Sequence, residues 1–581
     1  MVRDTFVGLR IEHCESRLGA FVPVVCRTKG SLLFGGRDIY DECRDTRHRP
    51  QPFIVFMDAS SATAQDHLLK VIEDEIKASE RVTQELKYRR NALVPISRLL
   101  PETLVEIFSL LPFAADDSEY VPYLAWICVT HVCRRWREIA LYSPCLWNHI
   151  NFTKLTLAGI TEILARAKTS PLYIEGEITP TSKAQFNVLR KQLEADISHT
   201  RHLTISGKFH TLLGRLVSPA PALEYLSLTN SSRPCTIPDS LFNATAPKLT
   251  RLELLGCSIR WKSPLLKGLQ TLKIRKPSAQ EMPTLDDWLT ALNDMSQLET
   301  LILDNATPTT SVDYPHISEP QRTVALPSLT QFDIAASARD CALALAHLVL
   351  PALISLHVTF EWGGDDHDVR LLIPYVARNA HGPQDAAPLQ TILFSGGATY
   401  AEIVAWTVPD ADVEVCDSVT LIKAAVSARL VLTVTSDGGW HGGMETVVLD
   451  AMLSHLPLNA ISTLSVQNDA RPSKELWLSL ALRLTKLNRV LLGSTAVREF
   501  GEVLIEEGAP PDGLPLLPQL TKLILSKVPL TTPGIYLPLC HGLITRKKRG
   551  APLEALDLHT CIGPDYVFLF FSGFVSNIQV P

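Results

Sequence analysis

The chain is 581 residues long, more than one hydrophobic core sustains, so two or more domains or an elongated array are expected. Apolar residues at 46%, charged residues at 20% and a net charge of −6 suit a folded, water-soluble protein and leave no basic stripe for nucleic acid. The twelve cysteines are scattered, with no Cys-x-x-Cys pair and no His/Cys cluster at zinc spacing, which points to reduced thiols and no metal centre.

Residues 1–63 hold short β-like fragments such as FVPVVC and FIVFM around a basic, turn-rich patch, and no domain is assigned to them. Their opening, MVRDTFVGLR, interleaves charges with apolar residues and lacks the apolar core of a secretory signal. No apolar run reaches the roughly 18–20 residues that a membrane helix needs. The expectation is a protein of the cytoplasm, the nucleus or both, with no membrane contact. Over 64–93 the pattern becomes a long helix. Leu69, Ile72, Ile76, Ser79, Thr83 and Leu86 recur at alternating steps of three and four, a heptad stripe with two polar members. Glu73–Lys77 and Glu85–Arg89 add i,i+4 pairs in the favourable orientation. Two readings stay open, a dimerising coiled coil and a single helix lying on the next domain.

Residues 94–151 read as a small helical unit. In ISRLLPETLVEIFSLLPF, Pro101 suits a first helical turn, where its missing N–H costs nothing, and Glu102 suits the positive end of the helix dipole. Leu104, Ile107, Phe108 and Leu111 fall on one face. A second helix is expected to carry Ile127, Val129, Val132, Trp136 and Ile139, with Arg134, Arg135 and Arg137 pointing outward. Pro144 sets a turn, and Leu146 and Trp147 close the unit.

The order L-P-E-x-L-x-x-I-F, then V-x-x-V-C-R-x-W-R-x-I-A, then P-x-L-W resembles an F-box. The resemblance covers about 55–60 residues, and an acidic insertion at 114–121 stands where family members join two helices tightly. It implies docking to a Skp-family adaptor and, through it, membership of an SCF-type cullin–RING ubiquitin ligase with a protein substrate. By position, Leu100, Pro101, Glu102, Leu104, Ile107 and Phe108 would face the adaptor. Val129, Val132, Trp136, Leu146 and Trp147 would form the core. The alternative is a helical cap on an interaction scaffold with no ligase connection.

From 152 to 581 the chain is repetitive. L-x-x-L-x-L copies stand at 223 (LEYLSL), 249 (LTRLEL), 269, 298, 329, 353, 389, 487, 520 and 553, with a weaker copy near Ile461. Alternation within L-x-L is a short strand with one buried face. Helical stretches such as TLDDWLTALNDMSQ and ELWLSLALRLTKL separate the copies, and a proline punctuates the approach to most of them. A strand–helix unit cannot bury its apolar face alone, so the units are expected to stack into an irregular leucine-rich-repeat solenoid of about ten to thirteen repeats. The fold class is therefore α+β or α/β solenoid, a small helical module followed by this array. The interval 395–460 breaks the rhythm, with ARLVLTV supplying a strand. A substrate would meet the variable positions between the leucines: Glu224, Tyr225 and Ser227 in one copy, Thr250, Arg251 and Glu253 in the next.

Catalytic candidates are weak. DGGWHGGME around His441 is similar to a His-Gly-Gly oxyanion loop, but no G-x-S-x-G elbow accompanies it, and a turn is the simpler reading. EWGGDDHD reads as a solvated loop before it reads as a metal site, and RKKR at 546–549 as the basic tip of a helix before a nuclear address. No cofactor is expected, and the chain is read as a non-catalytic adaptor.

Overall fold

The computed structural model describes residues 59–580, except 112–123, 179–182, 231–234, 278–281, 309–319, 363–365, 384, 398, 410–427, 437–450, 452–454, 469, 471, 494, 507–515 and 559. The expectations for 1–58, for the acidic insertion and for the loop around His441 lie outside the described residues. The chain divides into two units, Met1–Arg89 and Arg90–Pro581. In the first, a 34-residue helix α1 (Ala59–Ala92) dominates what is described. No proline or glycine interrupts it before Pro95, which cannot continue a helix.

The second unit opens with helical turns. Helix α2 (Pro101–Leu110) follows a short 3₁₀ turn, and α3 (Arg134–Tyr142) follows a 3₁₀ segment over Ala125–His131. The expected second helix is thus two pieces, broken at Cys133, whose backbone is extended. The cause is local. Val129, Thr130 and Val132 crowd a helix at Cβ, and the Thr130 hydroxyl donates to the Ile127 carbonyl at 2.8 Å, an alternative to helical continuation.

Beyond it, among the described residues, seventeen strands form one sheet: β1 (His149–Asn151), β2 (Leu172–Ile178), β3 (Thr200–Gly207), β4 (Tyr225–Asn230), β5 (Arg251–Leu255), β6 (Thr271–Arg275), β7 (Thr300–Asp304), β8 (Gln331–Ser337), β9 (Ser355–Glu361), β10 (Thr391–Gly396), β11 (Tyr400–Trp406), β12 (Leu430–Thr435), β13 (Thr463–Asn468), β14 (Arg489–Gly493), β15 (Lys522–Ser526), β16 (Ala555–Asp557) and β17 (Asn577–Gln579). Helices α4 (Leu157–Ala167), α5 (Lys183–Asp196), α6 (Leu285–Asn293), α7 (Ala338–Ala346), α8 (Asp366–Ala380), α9 (Lys474–Arg483), α10 (Val497–Ile505), α11 (Pro533–Lys548) and α12 (Asp565–Ser572) connect them. Each of the ten L-x-x-L-x-L copies starts its strand on the third residue, and the leading leucine of every copy is buried.

Neighbouring strands are parallel throughout, with one exception. Strand β11 runs antiparallel between β10 and β12, so the spatial order there is β9–β12–β11–β10–β13. This reversal is the break in rhythm at 395–460. Only residues 397–399 separate β10 from β11, and a connection that short can return only antiparallel, whereas a parallel crossover needs a dozen residues or more.

One apolar row crosses the whole sheet in register. It starts Ile150, Ile174, Leu203, Leu226, Leu252 and Leu272, and it ends Val490, Leu523, Leu556 and Ile578. This face packs into the core, while alternate residues take the opposite face, which is open over β1 to β5 but buried at β10, where all six residues are buried. Near the far end, α10 crosses α11 at two glycines. A Cβ on Gly501 would lie 2.3 Å from the Leu539 nitrogen, and one on Gly542 would lie 2.7 Å from the Gly501 oxygen. Gly501→Ala is therefore expected to cost about 1–3 kcal/mol through overpacking. A lowered midpoint in chemical denaturation checks this, and an unchanged midpoint contradicts it.

The basic tip at 546–549 is not a free run of cations. Arg546 is buried, donating to the Leu516, Leu517 and Leu520 carbonyls at 2.6, 3.1 and 3.3 Å, and burial lowers its pKa to about 10. Among the described residues no helix is long and apolar enough to cross a membrane, and no three His, Cys, Asp or Glu side chains converge as a metal site.

Candidate functional site

Two surfaces carry the residues singled out by sequence, the helical unit and the open face of the sheet. In the helical unit, Leu100 is the extended residue that precedes α2, Pro101 takes its first position and Glu102 lies in its first turn. All three are exposed, Leu100 by 67%. Leu104 and Phe108, expected to face an adaptor, are instead buried, and Ile107 is half-buried. The reason is the period of the helix: positions 104 and 108 share the inward face. There the Phe108 ring meets Trp136 at 5.0 Å.

Val132 is corrected in the other direction. Expected in the core, it is 58% exposed, because the 3₁₀ segment and the break at Cys133 turn it outward. Val129, Leu146 and Trp147 are buried, and Trp136 is half-buried. Arg135 does not point outward as expected. Its guanidinium donates to the Ser97 carbonyl and, at 2.6 Å, to that of Leu99, which fixes the turn leading into Leu100. Trp147 joins the unit to the array behind it. Its indole N–H donates to the Ala140 carbonyl at 2.8 Å, its ring meets Trp126 edge-on at 4.9 Å, and the Arg166 guanidinium of α4 lies 4.4 Å over it. Leu93, Leu100, Leu110, Val132 and Tyr142 remain as exposed large apolar side chains in a small module.

The open face carries a ladder of aromatic and imidazole rings in register across β1 to β4. His149 stacks on Tyr173 at 4.4 Å, Tyr173 meets His202 at 4.5 Å, and His202 meets Tyr225 at 5.6 Å. Arg251 on β5 ends the ladder, its guanidinium 5.4 Å from the Tyr225 centroid, a cation–π contact. One row along, Glu253 accepts from the Tyr225 hydroxyl at 3.1 Å and pairs with Lys273 at 2.8 Å.

Of the six residues expected to meet a substrate, Tyr225, Ser227, Arg251 and Glu253 lie on this face, and Ser227 is buried there. Glu224 and Thr250 stand just before their strands. Glu224 pairs with Arg201 at 2.7 Å, and the Thr250 hydroxyl donates to the Glu224 carbonyl at 3.3 Å. The repeat pattern misses His149, Tyr173 and His202, since β1 to β3 lack its leading leucine. The alternation in LYIEGEI and HLTIS is the signal that could find them.

Burial and the charges of Arg251 and Arg201 lower the pKa of His202 from the usual 6.5, against an opposing contribution from Glu224. A depressed histidine contributes stability that is present above its unfolded value and is lost as pH falls through the folded one. The denaturation midpoint should therefore fall as pH drops below the usual histidine value of 6.5, and fall less in His202→Gln. Equal falls in the two proteins would contradict this environment.

One arrangement on the open face imitates a catalytic triad. The Ser355 hydroxyl lies 3.1 Å from His357 Nε2, and His357 Nδ1 lies 3.5 Å from Asp333 Oδ1. The Ser355 hydroxyl also lies 2.8 Å from the Ala428 carbonyl, so two acceptors compete for its one proton.

Among known families, residues 96–153 match the model described as F-box-like, so the chain carries an F-box-like domain. The match runs from the turn before α2 through β1. No curated protein matches the chain.

Proposed function

We propose that the chain is the substrate-receptor subunit of an SCF-type cullin–RING ubiquitin ligase. Its F-box-like domain docks a Skp-family adaptor, and residues 152–581, a leucine-rich-repeat solenoid, hold a protein substrate on the open strand face. The observation that carries the reading is the F-box-like match together with the exposed apolar residues Leu100 and Val132 on that domain. The parallel, in-register stacking of the L-x-x-L-x-L strands supports the second half, since stacked repeats of one strand and one connection bury their leucines in this way.

The receptor performs no bond chemistry itself. It raises the effective concentration of substrate near the ligase's transfer centre by tethering. It works in the cytoplasm, the nucleus or both, without cofactor, nucleic acid or membrane. On the open face, Arg251 and the half-buried Tyr225 offer the contact area, whereas Glu253 is committed to its internal partners. Affinity purification under proteasome inhibition, read by mass spectrometry, tests the reading. The adaptor, a cullin and substrates should co-purify, and Tyr225→Ala with Arg251→Ala should deplete substrates while retaining the adaptor. Recovery of partners without any adaptor or cullin would instead identify a scaffold with no ligase connection.

A further inference from the structure

Helix α1 carries an apolar stripe. Every described side chain from Gln65 to Arg90 is exposed, including Leu69, Ile72, Ile76 and Leu86 of the heptad stripe. The ion pairs Asp74–Lys77 and Glu85–Arg89 lie off the stripe and leave it uncharged. Isolated helices are marginal in water, and a seam of this spacing is stabilised when a second helix covers it.

We propose that α1 pairs antiparallel with α1 of a second copy of this chain. The choice of occupant rests on self-complementarity, which a two-fold contact between identical surfaces requires. In the antiparallel arrangement Leu69 faces Leu86, Ile72 faces Thr83 and Ile76 faces Ser79, each pairing occurring twice. Every layer then contains an aliphatic side chain. A parallel pair would stack Ser79 on Ser79 and Thr83 on Thr83 in adjacent layers and set Glu75 beside Glu80 on both flanks. The antiparallel pair instead sets Asp66 beside Lys87 twice. It also sets Glu73 beside Glu80 twice, as many like-charged contacts as the parallel pair, so the charge preference rests on Asp66 and Lys87.

The proposal is independent of the adaptor reading, and its test keeps the two apart. Light scattering on the full chain should give twice the 64.2 kDa mass, and Ile76→Glu should return it to the single-chain mass. Ile76 lies outside the F-box-like domain, so this variant should keep the native adaptor binding. A single-chain mass for the native protein at about 100 µM, far above the dissociation constants of specific pairs, would overturn the proposal. So would a doubled mass that survives Ile76→Glu. For orientation, Leu69→Cys chains mixed with Leu86→Cys chains under mild oxidation should yield a 69–86 cross-linked peptide. Cross-links of 69 to 69 within Leu69→Cys chains alone would overturn the antiparallel register.

Discussion

Leu100→Glu should abolish capture of a Skp-family adaptor while leaving the protein folded, and Leu104→Glu should unfold the F-box-like domain. The two leucines sit four residues apart, joined by a hydrogen bond from the Leu104 N–H to the Leu100 carbonyl at 3.1 Å. Leu100 is mostly in water, so a carboxylate there changes stability by no more than about 0.5 kcal/mol. In a docked complex the same change loses the roughly 1.5–3 kcal/mol of a buried aliphatic side chain and adds an unpaired charge, a loss of affinity of about 100-fold or more. Leu104 is fully buried against Phe108 and its neighbours, where an unpaired carboxylate costs on the order of 3–5 kcal/mol. Circular dichroism and denaturation midpoints on both variants, beside adaptor binding, separate the effects. A stable Leu104→Glu protein, or a Leu100→Glu protein that binds as the native chain does, would contradict this division of roles.

Trp147→Ala is expected to destabilise the domain and its junction with the array by about 3–5 kcal/mol, the range for deleting a buried tryptophan. Three independent contacts are lost together: the indole hydrogen bond to Ala140, the edge contact with Trp126 and the Arg166 guanidinium over the ring. Because Arg166 belongs to α4, the damage should spread into the first helix of the array. Limited proteolysis should cut near 144–167 in the variant at protease levels that the native chain resists. Tyr142→Ala, nearby in sequence but 79% exposed, is the control and should change nothing measurable. Equal protease resistance of the tryptophan variant and the control would contradict the assignment of Trp147 as the joint.

The array is legible in the sequence because its signal repeats. A leucine that starts LEYLSL or LTRLEL is buried ahead of the strand, and the alternation after it sets which face each residue takes. The register of a parallel sheet with one buried face tolerates no slip, so a period read from sequence transfers directly to space. Strands β1 to β3 escape that pattern because Ile150, Ile174 and Leu203 occupy the apolar row without the leading leucine. The reversal at β10–β12 escapes it because its cause, a short glycine-bearing turn after Phe394, specifies local direction but not the partner strand.

Within the F-box-like domain, residue types are legible and directions are not. Leu104, Phe108 and Val132 all read as apolar positions of one module, yet the first two point in and the third points out. The break at Cys133 decides that, and it arises from β-branched residues and the Thr130 hydroxyl rather than from a proline or glycine. Arg135 shows the same limit. As one of three arginines it reads as a solvated charge, and only the folded turn brings the Ser97 and Leu99 carbonyls within its reach.

The most direct measurement is binding of the purified full-length chain to a purified Skp-family adaptor, followed by calorimetry. The account predicts a one-to-one complex per F-box-like domain, retained by Ile76→Glu and lost by Leu100→Glu. A native, folded chain that shows no heat of binding, or a Leu100→Glu chain that binds with native affinity, would contradict it.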